Sequence, residues 1–160
     1  MDVVALKGVD VVHDFNVFPY PFKDSAFDLI LANHALEHVN DLLRVMEEFQ
    51  RILAPGGVVQ VMVPYFSSPN AYRDPTHKIW FTSQTFSYCA PHHYYSKASF
   101  VVLKKRVFFF SNANFMTSKW YSWPLDTLFT LTLPLYERFL CYLFPISEIH
   151  FLLQQKNKQK

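Results

Sequence analysis

Phe27-Asp28-Leu29-Ile30-Leu31-Ala32, then Leu42, Val45, Met46, Phe49, Ile52 and Leu53, then Val58-Val59-Gln60-Val61-Met62-Val63: these residues decide the fold. The first run is apolar except for Asp28 near its start and reads as a buried strand. The middle set falls at the spacing of one helical face, with Glu47, Glu48, Gln50 and Arg51 on the other side. Asn40 suits the N-cap, Asp41 suits the positive end of the helix dipole, and Pro55-Gly56-Gly57 stops the helix. The last run is a second strand. Strand, helix and strand with short connections make a βαβ unit, which predicts two parallel strands joined by a right-handed crossover.

Working outward, Val3-Val4-Ala5-Leu6 and Val11-Val12 are short apolar runs that read as two further strands. Phe18 to Ser25 contains Pro19 and Pro21 and reads as a turn-rich loop. Beyond Val63 comes a long polar and aromatic stretch, Pro64 to Tyr95. A strand over about Phe100 to Phe110, a helical region near Leu125 to Leu143 and a last strand over about Ile149 to Gln155 follow. Two long strands around a helical insert predict an antiparallel pair at one edge. The expected architecture is a single α/β domain over residues 1–156 with a basic tail at 157–160.

Composition supports one packed domain. With 160 residues, 51% hydrophobic and 18% charged, the chain is too short for two ordinary domains and too apolar for disorder. Its 17 Phe and 9 Tyr favour sheet and buried surface. A net charge of +2, part of it in Lys156, Lys158 and Lys160, gives no basis for nucleic-acid binding. Leu125 to Ile146 is apolar, but Asp126, Glu137, Arg138 and Pro134 interrupt it below the roughly 18–20 residues of a transmembrane span. Cys89 and Cys141 lack metal-ligand spacing and read as free thiols. With no basic-then-apolar leader at the N-terminus, the expected location is cytoplasmic.

In an open α/β sheet, ligands sit at the carboxyl ends of parallel strands. His13-Asp14, Asn33-His34 and the loop from Pro64 to His77 all fall at such ends, so they share one rim. Asp14 offers a carboxylate to a nucleoside hydroxyl or amine, or serves as a turn residue. Asp74-Pro75-Thr76-His77 places a carboxylate and an imidazole within one turn. His77 is the candidate general base, and Asp74 and Tyr65 are the candidate substrate contacts. His34-Ala35-Leu36-Glu37-His38 matches the H-x-x-E-H pattern of zinc peptidases, in which two histidines on one helix hold the ion. The segment follows a strand directly and the long helix starts only near Asn40, so no metal ligand is assigned here.

Three ordered motifs carry a family resemblance. Pro19-Tyr20-Pro21-Phe22-Lys23-Asp24-Ser25-Ala26-Phe27-Asp28, Asn33-His34-Ala35-Leu36-Glu37-His38-Val39 and Arg51-Ile52-Leu53-Ala54-Pro55-Gly56-Gly57 resemble the type 11 group of class I S-adenosylmethionine-dependent methyltransferases. The resemblance implies a Rossmann-like sheet, mostly parallel with an antiparallel C-terminal strand pair. It also implies S-adenosyl-L-methionine as cofactor and methyl transfer to a small-molecule, saccharide or lipid-precursor acceptor. Asp14 and Phe15 match the position beside the adenine, Asn33 and His34 the stretch beside the methionine portion, and Asp2 the acidic residue of the ribose. It further implies a first strand and a glycine-rich loop for which this sequence has no counterpart. Gly8, Gly56 and Gly57 are its only glycines, so an N-terminally incomplete fold is expected. A remnant of that fold acting as an interaction module is the alternative.

Overall fold

The computed structural model describes residues 1–91, 93–110, 116 and 119–156. The 157–160 tail expected from sequence lies outside these. Strand β1 (Phe27–Asn33), helix α1 (Leu42–Ile52) and strand β2 (Leu53–Pro64) form the predicted unit, and β1 pairs parallel to β2. The short helix α2 (Asn70–Arg73) follows, then β3 (Phe100–Phe108), α3 (Trp123–Leu131), α4 (Leu133–Leu135) and β4 (Glu148–Gln155). The sheet order is β1-β2-β4-β3, with β4 antiparallel to both of its neighbours. The sheet is therefore mixed: a parallel start, and the expected antiparallel pair at the far edge.

The core lies on one face of this sheet. Val59, Val61 and Val63 of β2 stand beside Leu153, Phe151 and Ile149 of β4, and all six are buried. Val45, Met46, Phe49 and Ile52 of α1 belong to the same cluster, which is how the apolar stripe of the helix is used. Burial of β1 differs from expectation: Ala32 is buried, but Leu29 and Leu31 are 44% and 60% exposed. Alternate residues point to opposite faces, and among the described residues only one face of β1 is covered.

Three local features also depart from the sequence reading. Val3–Leu6 and Val11–Val12 do not form strands, leaving only a parallel bridge between Asp2 and Val12. No described neighbour continues a ladder there, and Val3, Val4, Leu6 and Val12 are exposed. The N-cap of α1 is Asp41, which accepts from the Arg44 amide at 3.0 Å. Asn40 is engaged elsewhere, receiving Lys78 Nζ at 2.8 Å. The two acidic residues in the apolar C-terminal stretch have internal partners: Asp126 accepts from the Phe109 amide, and Glu137 from Tyr65 and Ser83. No helix among the described residues is long and apolar enough to cross a membrane.

Two of the sequence motifs are bonded to each other. Arg51 donates to the carbonyls of Tyr20 and Phe22, at 3.0 and 2.8 Å, and pairs with Asp24 and Glu48. The guanidinium fork thereby clamps the proline-rich loop onto α1 just before β1 begins. The third turn fits as tightly. Phe27 pairs with Leu53 and Leu29 with Val58, so Ala54 to Gly57 bulge out of β2. Gly56 has φ +80°, and a Cβ on Gly57 would stand 2.9 Å from the Ala54 carbonyl and 3.2 Å from that of Asp28.

Arg51→Met removes the clamp and strands two partly buried carbonyls and Glu48. The expected loss is about 2–3 kcal/mol, or about 5–10 °C in Tm. The Arg51 guanidinium holds the Glu48 carboxyl below its ordinary range. That contribution is present above the unfolded pKa and fades as acid protonates Glu48, so the gap between variant and wild type narrows below about pH 4. Gly57→Ala forces the bulge against β1 and lowers stability by about 1–3 kcal/mol in urea denaturation.

Candidate functional site

The parallel pairing of β1 and β2 brings their carboxyl ends to one rim. His34 leaves β1 with φ 48°, a left-handed conformation that costs a non-glycine residue about 1 kcal/mol. Its amide still bonds the Met62 carbonyl at 2.8 Å, so the strand ends abruptly and the imidazole stands over the sheet edge. A single 3-10 turn, Leu36–His38, then turns Glu37 inward until it is only 1% exposed.

His34 lies between two buried carboxylates. Its Nδ1 is 3.3 Å from Glu37 Oε1 and its Nε2 is 3.6 Å from Glu148 Oε1. The hydrogen bond to Glu37 raises the His34 pKa, burial opposes this, and the charges of Glu37 and Glu148 add to the rise. Two cavities meet at this residue. One, of about 700 Å³, is lined by Asp2, Val3, Asp14, Phe15, Asn16, His34, Ala35, His38, Val39, Pro75, Thr76 and Lys78. The other, of about 590 Å³, is lined by His34, Glu37, His38, Pro64, Asn70, Arg73, Asp74, Pro75, His77 and Glu148.

The first cavity thus collects four of the five residues matched to the cofactor by resemblance: Asp2, Asp14, Phe15 and His34. Asn33 is exposed and lines neither cavity. Asp14 Oδ1 accepts from the backbone and side-chain nitrogens of Asn16, at 2.8 and 2.9 Å, and these bonds hold its carboxyl below the ordinary range. Asp2 Oδ1 accepts from the Val4 amide at 3.0 Å. Neither Oδ2 has a donor among the described residues, so each carboxylate keeps an acceptor for a ligand hydroxyl. No glycine lines either cavity.

The second cavity holds Asp74 and His77. Asp74 Oδ1 receives the Thr76 amide at 2.8 Å and the Thr76 hydroxyl at 2.6 Å, which lowers its pKa, the hydroxyl bond foremost. Tyr65 lines neither cavity. It is fully buried in the core, and its hydroxyl donates to Glu137 at 2.7 Å. Burial, with Glu137 second, pushes its pKa up. From sequence, Glu37 enters only as the glutamate of the zinc-peptidase pattern, and Glu148 only as a nominee for its third ligand; neither reading makes the two a buried pair. An H-x-L-E-H stretch signals Glu37, but Glu148 opens a strand 111 positions later and is recognised only when β4 is threaded beside β2.

The zinc-peptidase arrangement is not formed. His34 and His38 flank a single 3-10 turn instead of sharing a helix, and both His34 nitrogens face carboxylates. Glu137, the other residue nominated from sequence as a third ligand, accepts from Tyr65 and Ser83.

Comparison with known proteins accords with this geometry. The chain is 32% identical over 59 residues to a demethylmenaquinone methyltransferase of Bacillus mycoides (strain KBAB4), covering 37% of this chain and 24% of that protein. The same enzyme of Bacillus cereus (strain B4264) is 34% identical over an equal stretch and coverage. The matched segment is thus about a quarter of the length of those relatives. A methyltransferase structure from Archaeoglobus fulgidus superposes with TM-score 0.59 and 17% identity, covering 91% of this chain and 66% of the other. One from Mesorhizobium loti gives 0.54 and 15%, covering 93% and 72%. The [4+2]-cyclase SpnF gives 0.55 and 17%, covering 91% and 54%. These likenesses show the fold. Residues 4–61 match the family model described as a methyltransferase domain, type 11, and contain all three motifs together with the cavity residues Asp14, Phe15 and His34. The match, over less than half of the chain, supports the resemblance to the class I S-adenosylmethionine-dependent methyltransferases of the type 11 group.

Proposed function

We propose that the chain serves S-adenosylmethionine-dependent methyl transfer and that the cavity lined by Asp2, Asp14, Phe15 and His34 receives the cofactor. One observation carries this reading: residues from the N-terminal segment, the following loop and the end of β1 converge on one cavity. The donor set fits the nucleoside half of the cofactor. Asp2 and Asp14 each keep a carboxylate oxygen for hydroxyl or amine hydrogens, and Phe15 offers an aromatic face. S-adenosylmethionine brings an electrophilic methyl group on a sulfonium, so the protein has mainly to hold and orient.

The adjoining cavity of about 590 Å³ is the acceptor side in this reading. Its acceptor is a small molecule, a saccharide or a lipid precursor. His77 Nδ1 is bonded to the Ala71 carbonyl at 3.0 Å, and among the described residues no hydrogen bond engages Nε2. That nitrogen is the base for an acceptor that must lose a proton. Both cysteines are buried and free, and burial pushes the Cys89 thiol up to about 12, which suits a reducing cytoplasm.

Calorimetric titration of S-adenosylmethionine into the purified chain is expected to saturate at one site. Asp14→Ala should weaken binding about tenfold by removing a charged hydrogen bond, with the melting temperature unchanged. Absence of saturable binding to the intact chain would leave the non-catalytic reading of this fold standing.

A further inference from the structure

Beside the proposed cofactor cavity lies a cluster that the methyl-transfer reading does not use in full. One donor atom from each of Glu37, His38 and His77 lies within 4.8 Å of the other two. From these three residues we infer a binding site for a single first-row divalent cation, zinc foremost, reached from the acceptor-side cavity. The set differs from the H-x-x-E-H pattern: His77, 39 positions after His38, replaces His34, and Glu37 is a ligand rather than a base.

The surrounding hydrogen bonds fix the ligand atoms. Asp74 accepts the Thr76 hydroxyl proton at 2.6 Å, so Thr76 Oγ1 must accept from His38 Nδ1, which lies at 2.9 Å. His77 Nδ1 donates to the Ala71 carbonyl at 3.0 Å. In the neutral form both imidazoles therefore carry their proton on Nδ1 and present a lone pair on Nε2. An acceptor behind each ligating histidine, the Ala71 carbonyl for His77 and the Thr76 hydroxyl relayed to Asp74 for His38, gives the outer support usual in a metal site. Glu37 supplies the charge. Its Oε1 is 4.0 Å from His77 Nε2, while its Oε2 is buried with no hydrogen-bond partner, an expensive state for a carboxylate oxygen.

Two imidazoles and one carboxylate are the donor chemistry of zinc and its first-row neighbours. Donors about 2.0–2.2 Å from such an ion stand about 3.4 Å apart, so the three must close by roughly 1 Å, within reach of small side-chain rotations. The remaining coordination positions are left for water or an oxygen of the acceptor. His77 spends one lone pair in either role. In the cation-loaded chain it is a ligand, and the ion itself makes a bound hydroxyl acidic. In the metal-free chain it is the base.

The site goes beyond the proposed function and is tested without cofactor or acceptor. The chelator-treated full chain is titrated with zinc by calorimetry and with cobalt(II) by visible absorption. One saturable site is expected, with an intense cobalt d–d band from nitrogen ligation. Glu37→Gln and His77→Asn should each weaken zinc about 100-fold or more, and Thr76→Val about tenfold through His38 alone. Circular dichroism melting confirms that each variant is folded, and Thr76→Val, at an exposed position, keeps the test available if a buried substitution does not fold. Failure to bind zinc at one site, or zinc affinity indifferent to His77→Asn, overturns the assignment. Either result leaves S-adenosylmethionine binding to be judged by its own titration.

Discussion

The parallel pairing of β1 with β2 is the constraint on which the rest depends. Strands running in the same direction release their carboxyl ends on the same side. The His34 turn and the loop after Pro64 therefore emerge together, although 31 positions separate Asn33 from Pro64. Had the pair been antiparallel, Glu37 and His77 would lie at opposite ends of the sheet. The crossover that keeps the strands parallel is α1, and α1 is seated through Arg51. Its guanidinium reads two backbone carbonyls and two carboxylates, which sets where the proline-rich loop delivers the chain to β1.

The βαβ unit was legible because each part announces itself locally. The helical spacing of Leu42 to Leu53, the Pro55-Gly56-Gly57 stop and the apolar runs on either side need no distant partner to be recognised. The rim was legible for the same reason: once the strands are parallel, polar residues at their ends must share an edge. Burial was less so. The run Phe27 to Ala32 has the apolarity of a strand covered on both faces, yet the exposure of Leu29 and Leu31 reflects which neighbours the sheet offers, and a strand's own sequence does not record that.

The site itself was only partly legible, for a different physical reason. Asp14, His34 and His77 stand out as polar residues at strand ends. Tyr65 stands at an equally suitable end, and its hydroxyl turned inward to Glu137, a residue from the helical insert 72 positions away. A phenol is amphipathic enough to satisfy either place, and the choice is made by the partner. Glu37 shows the converse. In sequence it is one member of a short motif, while in the fold it is a buried carboxylate facing His34 and His77 from different segments.

Such a carboxylate needs compensation, and the polar groups around it reveal what kind. Burying a charge without a full set of partners is costly, and a protein normally meets that cost with donors. Here the nearest groups at the Glu37 carboxylate are imidazoles, and two hydrogen-bond relays hold the protons of His38 and His77 on the far side of their rings. In their neutral form those two rings turn lone pairs, not hydrogens, toward the site, and His34 is then the imidazole that presents a proton to Glu37 directly. An arrangement of acceptors around an acceptor is held together by something positive between them. A proton shared through His34 answers part of that demand; the proposed divalent cation would answer the rest, on the side of the acceptor cavity.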